Sequence, residues 1–154
     1  MTVTDILAWL GGLTGPSAIV WDVYKWKRSG PKLLVRVSPN MAILGRGQVT
    51  NQRHLIVRVA NSGEKKTTLT TLALALYPSW WAQVRGKPSE QFAVPMPGGP
   101  GWRNLPCPLD PGEEWAGMVR QDQQIEQMCK KGRLYCHVYH ALSKNPVGAR
   151  VVLS

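Results

Sequence analysis

The sequence predicts a mainly β protein: a β-sandwich preceded by an N-terminal helical segment and carrying one short inserted helix. Three observations point there. Residues 32–38, 54–60 and 133–140 alternate apolar and polar side chains, which is the two-residue period of a half-buried strand. Turn-forming residues such as Asn61-Ser62-Gly63 and Asp110-Pro111-Gly112 separate most of the strand candidates. Residues 6–21 carry no charge and stand apart from the alternating part of the chain. A chain of 154 residues holds one core, because a seven-stranded sandwich takes about 100. The expected division is residues 1–30 as an apolar N-terminal helical segment, either membrane anchor or docking helix, and residues 31–154 as the β domain.

The N-terminal segment reads ILAWLGGLTGPSAIVW over residues 6–21. A helix that crosses a bilayer needs about 17–25 residues, so this run is at the short end. No basic residue precedes it, unlike the charged start of a secretory signal. Gly11, Gly12, Gly15 and Pro16 are tolerated in membrane helices but also read as a break. In the broken form, Thr4 caps a helix ending near Leu10, and a second helix runs from about Pro16 to Arg28. Ile19, Val20, Val23 and Tyr24 then share one face of a 3.6-residue period. Trp9, Trp21 and Trp26 punctuate the segment, and Lys25, Lys27 and Arg28 close it. Aromatic and basic residues at the end of an apolar helix suit the lipid headgroup layer. The segment therefore fits a spanning anchor, a helix lying in the interface, or a helix packed on its own domain. If it spans, the basic cluster puts the β domain in the cytoplasm; the alternative is a soluble cytoplasmic protein.

Within the β domain, Leu33, Val35 and Val37 point one way along the first strand, and Leu55, Val57 and Val59 do so along the second, with His54 and Arg58 outward. Residues 67–77, TTLTTLALALY, form the third. Leu72, Leu74 and Leu76 share a face that Leu69 misses by one residue, so a β-bulge is expected near Thr70 and Thr71. Residues 91–94 are a short strand, 95–101 a Pro/Gly loop, and 115–119 a strand containing a core tryptophan, Trp115. Residues 122–131 break the β pattern. Ile125, Met128 and Cys129 fall at helical spacing, Asp122 is placed to cap the start, and Gly132 fits just beyond the end. Along residues 133–140, Leu134, Cys136 and Val138 face inward and Tyr135, His137 and Tyr139 outward. Residues 143–146 are read as a turn and 147–153 as the closing strand.

The net charge of +10 favours anionic partners, such as lipid headgroups or nucleic acid. It is concentrated: no acidic residue occurs between Asp22 and Glu64, a stretch containing Lys25, Lys32, Arg36, Arg53 and Arg58. Charge placed just after an apolar segment is a membrane-flanking pattern, and equally a solvated surface. The 3 cysteines, Cys107, Cys129 and Cys136, are odd in number and lack CxxC spacing, which fits reduced thiols in a reducing compartment.

The pair VRVANSG and TTLTTLALALY resembles adjacent strands and their turn in bacterial immunoglobulin-like domains. The layout WDVYKWKRSGPKLLVRV followed by such a domain resembles small, largely uncharacterised bacterial membrane-anchored proteins. The resemblance covers most of the chain and is structural. It implies an immunoglobulin-like β-sandwich and an accessory or interaction role, and carries over no functional residues.

Chemistry-bearing constellations are sparse. Cys129, Cys136 and His140 make a conceivable metal site, but their spacing matches no standard zinc pattern, and a buried structural Cys136 is the simpler reading. Glu113 and Glu114 are neighbours that diverge on a strand, whereas catalytic carboxylates converge. No nucleophile motif frames the serines, and the Pro/Gly loop lacks the helix a phosphate cradle requires. The expectation is a protein that is not an enzyme, with no catalytic, cofactor-binding or metal site. Of the 7 tryptophans, Trp80, Trp81 and Trp102 are candidates for a protein-binding surface, and Trp80 and Trp81 equally for an apolar cover at one end of the sandwich. The expected function is a membrane-associated interaction or scaffolding module contacting lipid or a membrane protein through its N-terminal segment. The alternative is a soluble nucleic-acid-binding β domain using Arg36, Arg58 and His54, although no aromatic stands among those outward positions.

Overall fold

The computed structural model describes residues 19–25, 30–45, 48–95, 97 and 102–153. The chain divides into two units, Met1–Gly30 and Pro31–Ser154. In the first, residues 19–25 are helical (α1). Trp9, Trp26, Lys27 and Arg28 lie outside the described residues, as does the expected break between Gly11 and Pro16.

The second unit is mainly β. In chain order it contains β1 (Leu33–Gly45), β2 (Gln48–Asn61), β3 (Thr67–Tyr77), α2 (Trp80–Val84), β4 (Glu90–Ala93), β5 (Cys107–Leu109), β6 (Glu114–Arg120), α3 (Gln123–Lys131), β7 (Arg133–His140) and β8 (Ser143–Arg150). They form two antiparallel sheets. The first has 3 strands in the order β1-β2-β6. The second has 5, in the order β4-β3-β7-β8, with β5 also on β3. β5 pairs with the Thr67–Leu69 end of β3 and β4 with Ala73–Leu76, so the two short strands share one edge.

One core joins the sheets. Leu55, Val57, Val59 and Trp115 come from the first sheet, and Leu69, Leu72, Leu74, Leu134, Cys136 and Val138 from the second. These are the inward positions that the alternation selects. A register irregularity between Leu69 and Thr71 brings Leu69 into phase with Leu72, so all the leucines of β3 reach the same core. α3 closes one end. Asp122 Oδ1 accepts from Ile125 N at 2.9 Å, and Ile125 and Met128 are its buried face.

Several elements differ from expectation. β1 and β2 continue to Gly45 and from Gln48, past Pro39 and past Asn40 with its φ of 58°, because two register shifts absorb the irregular residues. Residues 143–146 are not a turn. The turn is Ala141–Leu142, and β8 starts at Ser143. Lys144 and Pro146 are turn-like in composition, yet among the described strands β8 is an edge strand, where lysine and proline discourage further pairing. His54 does not point into solvent: it is 6% exposed, with Nδ1 3.1 Å from Gln52 O.

Candidate interaction surfaces

The apolar side chains of α1 are open to solvent. Ile19, Val20, Trp21, Val23 and Tyr24 are each more than half exposed, and Lys25 follows, also exposed. Trp21 and Tyr24 rings lie 6.0 Å apart. Among the described residues, no helix is long and apolar enough to cross a membrane.

Trp80 and Trp81 begin α2, in the connection from β3 to β4. Pro78 ends β3, and Ser79 caps the helix, its hydroxyl accepting from Ala82 N at 3.3 Å. α2 has no buried residue. Trp80 and Trp81 are 50% and 64% exposed, and their rings meet edge to face at 4.8 Å. Arg85 and Lys87, both exposed, complete the connection.

Trp102 is half-buried and belongs elsewhere. Its neighbour Arg103 accepts from Trp115 Nε1 through its backbone oxygen (2.7 Å) and pairs with Glu113 at 3.6 Å. Glu113 O in turn accepts from Asn61 N, and Asn61 Nδ2 reaches Leu109 O beside Thr67. Trp102 is therefore near the start of β3, whereas α2 follows its end; the structure does not bring the three tryptophans together.

The outer face of the first sheet is basic. Arg36 and Arg58 stand directly opposite each other on β1 and β2. Arg58 reaches Glu114 at 3.8 Å, so Glu114 points away from Glu113.

The outer face of the second sheet carries a cluster that sequence reasoning left unassembled. Tyr135, His137 and Tyr139 project there from β7, opposite Ala75, Ala73 and Thr71 of β3. Tyr77 joins them, its ring 5.9 Å from His137 in a stacked pair and 5.6 Å from Tyr135 edge on. Tyr139 Oη accepts from Gln91 Nε2 at 2.7 Å. Arg133 lies opposite Tyr77 and Arg150 opposite Tyr135. Burial raises the Tyr77 phenol, with Tyr139 and then Tyr135 adding to it, and burial lowers the His137 imidazole. The outward alternation of β7 was visible in the sequence; the meeting with Tyr77 depends on the β3–β7 register.

A cleft of about 420 Å³ lies where α3 meets the exit of β8. Gln121 forms one wall. Its side-chain amide exchanges hydrogen bonds with Asn40, from Asn40 N at 3.1 Å and to Asn40 Oδ1 at 3.0 Å, and reaches Glu126 at 3.4 Å. Arg53, Lys130 and Arg150 supply positive charge. Cys129 also lines the cleft, but burial raises its thiol, with Glu126 adding to the rise and Arg150 opposing it. A protonated thiol is a poor nucleophile. Cys136 is fully buried, its thiol pushed up to about 12, and His140 Nδ1 is 3.2 Å from Thr67 Oγ1. Among the described residues, no group of three or more His, Cys, Asp or Glu is placed to hold a metal ion.

Comparison with protein-family models, with curated proteins and with solved structures finds no match to this chain.

Proposed function

We propose that the protein is a non-catalytic, membrane-associated interaction or scaffolding module. The N-terminal segment contacts lipid or a membrane protein, and an immunoglobulin-like β-sandwich is held at the cytoplasmic side. The observation that carries this reading is α1. Ile19, Val20, Trp21 and Val23 expose their side chains to solvent, although fully burying one such residue is worth about 1.5–3 kcal/mol. An apolar helix that reaches Lys25, with Lys27 and Arg28 following in the sequence, matches an interface of acyl chain and anionic headgroup. Two antiparallel sheets around one core support the sandwich assignment.

The test is fractionation of the full-length chain beside the variant Ile19→Glu/Val23→Glu. Retention of wild type in the membrane pellet through a high-salt wash, with release of the variant, is the expected result. Release by alkali would mark the segment as interfacial rather than spanning. Wild type already in the supernatant overturns the membrane reading.

A second reading is favoured by the aromatic face of β7. Tyr135 and His137, flanked by Arg150 and Arg133, put rings beside cations, the combination on which single-stranded nucleic acid stacks. It predicts binding of an oligonucleotide that weakens steeply with salt and is lost in Tyr135→Ala.

A further inference from the structure

The connection between β3 and β4 is built to display an apolar tip. Its neck is tied: Ser89 N and Oγ both donate to Leu76 O, at 2.9 and 3.1 Å. Its far side is tied as well, since Lys87 N donates to Ala82 O at 2.9 Å and Gly86 N to Gln83 O at 2.9 Å. Gly86 has a φ of 63°, a left-handed conformation that favours glycine, and it turns the chain back toward β4. On this braced loop, Trp80, Trp81 and Val84 are 50%, 64% and 61% exposed.

The tip adds little to folding. α2 buries no residue, and Gln83 Oε1 is enclosed with no hydrogen-bond partner among the described residues, which is itself unfavourable. Two adjacent exposed tryptophans gain nothing from water, whereas their amphipathic rings prefer the boundary between acyl chains and headgroups. The charges within the loop have one sign. Between Tyr77 and Glu90 in the sequence, the only ionisable side chains are Arg85 and Lys87, which follow Val84 in the chain.

We infer that the α2 loop is a second membrane-contact element: Trp80, Trp81 and Val84 enter the headgroup region of an anionic bilayer while Arg85 and Lys87 hold its phosphates. The inference rests on the membrane-associated reading above and extends it from the N-terminal segment to the β domain. A protein groove would also accept an aromatic pair, but the loop's own two charges, both cationic, favour an anionic lipid surface.

The experiment is partition of the full-length chain onto vesicles of phosphatidylcholine alone, or phosphatidylcholine mixed with phosphatidylglycerol. Four proteins are compared: wild type, Trp80→Ser/Trp81→Ser, Arg85→Gln/Lys87→Gln, and Ile19→Glu/Val23→Glu. Circular dichroism and urea midpoints confirm that each is folded; all the substituted side chains are exposed. The tryptophan variant is expected to bind mixed vesicles about tenfold more weakly, or less, because it removes two partly inserted rings. The Arg85/Lys87 variant should lose most of the preference for mixed over neutral vesicles that the loop contributes. Brominated acyl chains should quench wild-type emission, and the quenched fraction should fall in the tryptophan variant. Wild-type partition by the tryptophan variant, alongside loss in the Ile19/Val23 variant, overturns the loop assignment while the membrane reading stands, and leaves the pair as a protein-docking surface. Failure of wild type to bind either vesicle overturns both.

Discussion

Trp115 and Gly117 together solve one packing problem. Trp115 is 1% exposed, and its Nε1 donates to Arg103 O at 2.7 Å, which ties the segment after the Pro/Gly loop to the core. Gly117, two residues on and facing the same way, leaves room for that ring. A Cβ there would lie 2.6 Å from Pro97 O and overlap the indole. Gly117→Ala is therefore expected to destabilise by about 1–3 kcal/mol, read as a lower urea midpoint at unchanged slope. Asn61 has a comparable structural role through hydrogen bonds. It is 1% exposed, donates to Lys65 O (2.9 Å) and Leu109 O (3.2 Å), and accepts from Gly63 N (3.1 Å). Asn61→Ala leaves these groups unpaired at about 1–3 kcal/mol each, and Asn61→Asp, which keeps only the acceptor, should fall between. Titrating side chains set the pH range of the fold. Burial lowers His137 and His140 below the ordinary 6.5, so below that pH the unfolded chain binds more protons and stability falls as the solution is acidified. Burial pushes the Cys136 thiol from 9.0 up to about 12, so above pH 9.0 the unfolded chain loses a proton that the folded one keeps, and stability falls again. A urea midpoint that is flat between these limits and declines on both sides is the expected profile. A decline on neither side would remove the burial assigned to these groups.

At the scale of elements, α3 depends on one side chain for its start. Asp122→Ala removes the acceptor for Ile125 N and should cost about 1 kcal/mol, measurable by thermal or urea unfolding; Asp122→Asn should recover most of it. This helix was legible because cap, apolar spacing and terminal Gly132 all agree over nine residues. β1, β2, β3 and β7 were legible for a similar reason: their alternation repeats over several residues, and even the β3 bulge showed as a slip between Leu69 and Leu72. What was missed is short or ambiguous. α2 is one turn with no buried face, so it has no period to detect. β5 is three residues with Pro108 at its centre, held because Leu109 and Cys107 are buried against β3. The start of β8 is polar because it is an edge, and edge positions imitate turns. The surfaces follow the same division. The sequence leaves Trp80 and Trp81 open between a partner-binding surface and an apolar cover, and in the structure both are exposed. The ring cluster of Tyr77, Tyr135 and His137 needs a register between distant strands, which no local pattern contains.

For the whole molecule, the central quantity is how its charge of +10 combines with its exposed apolar groups. Charge alone attracts any polyanion, whether lipid or nucleic acid, and that attraction decays as salt shortens the screening length from about 10 Å at 0.1 M to about 3 Å at 1 M. In the membrane reading proposed above, apolar insertion by Ile19, Val20, Trp21 and Val23, and by Trp80 and Trp81, does not decay in this way. A salt titration on anionic vesicles therefore separates the two contributions within one protein. Wild-type partition should weaken as salt rises and then level off at a residual value carried by the apolar groups. The Ile19→Glu/Val23→Glu chain should start lower and level off at a smaller residual value, because it keeps Trp80 and Trp81. A single-stranded oligonucleotide offers phosphates without an acyl layer, so binding to it should fall along a straight line in log salt with no plateau. If wild type shows no plateau on vesicles either, the exposed faces are not inserting, and the Tyr135→Ala oligonucleotide test of the β7 ring face becomes the deciding one.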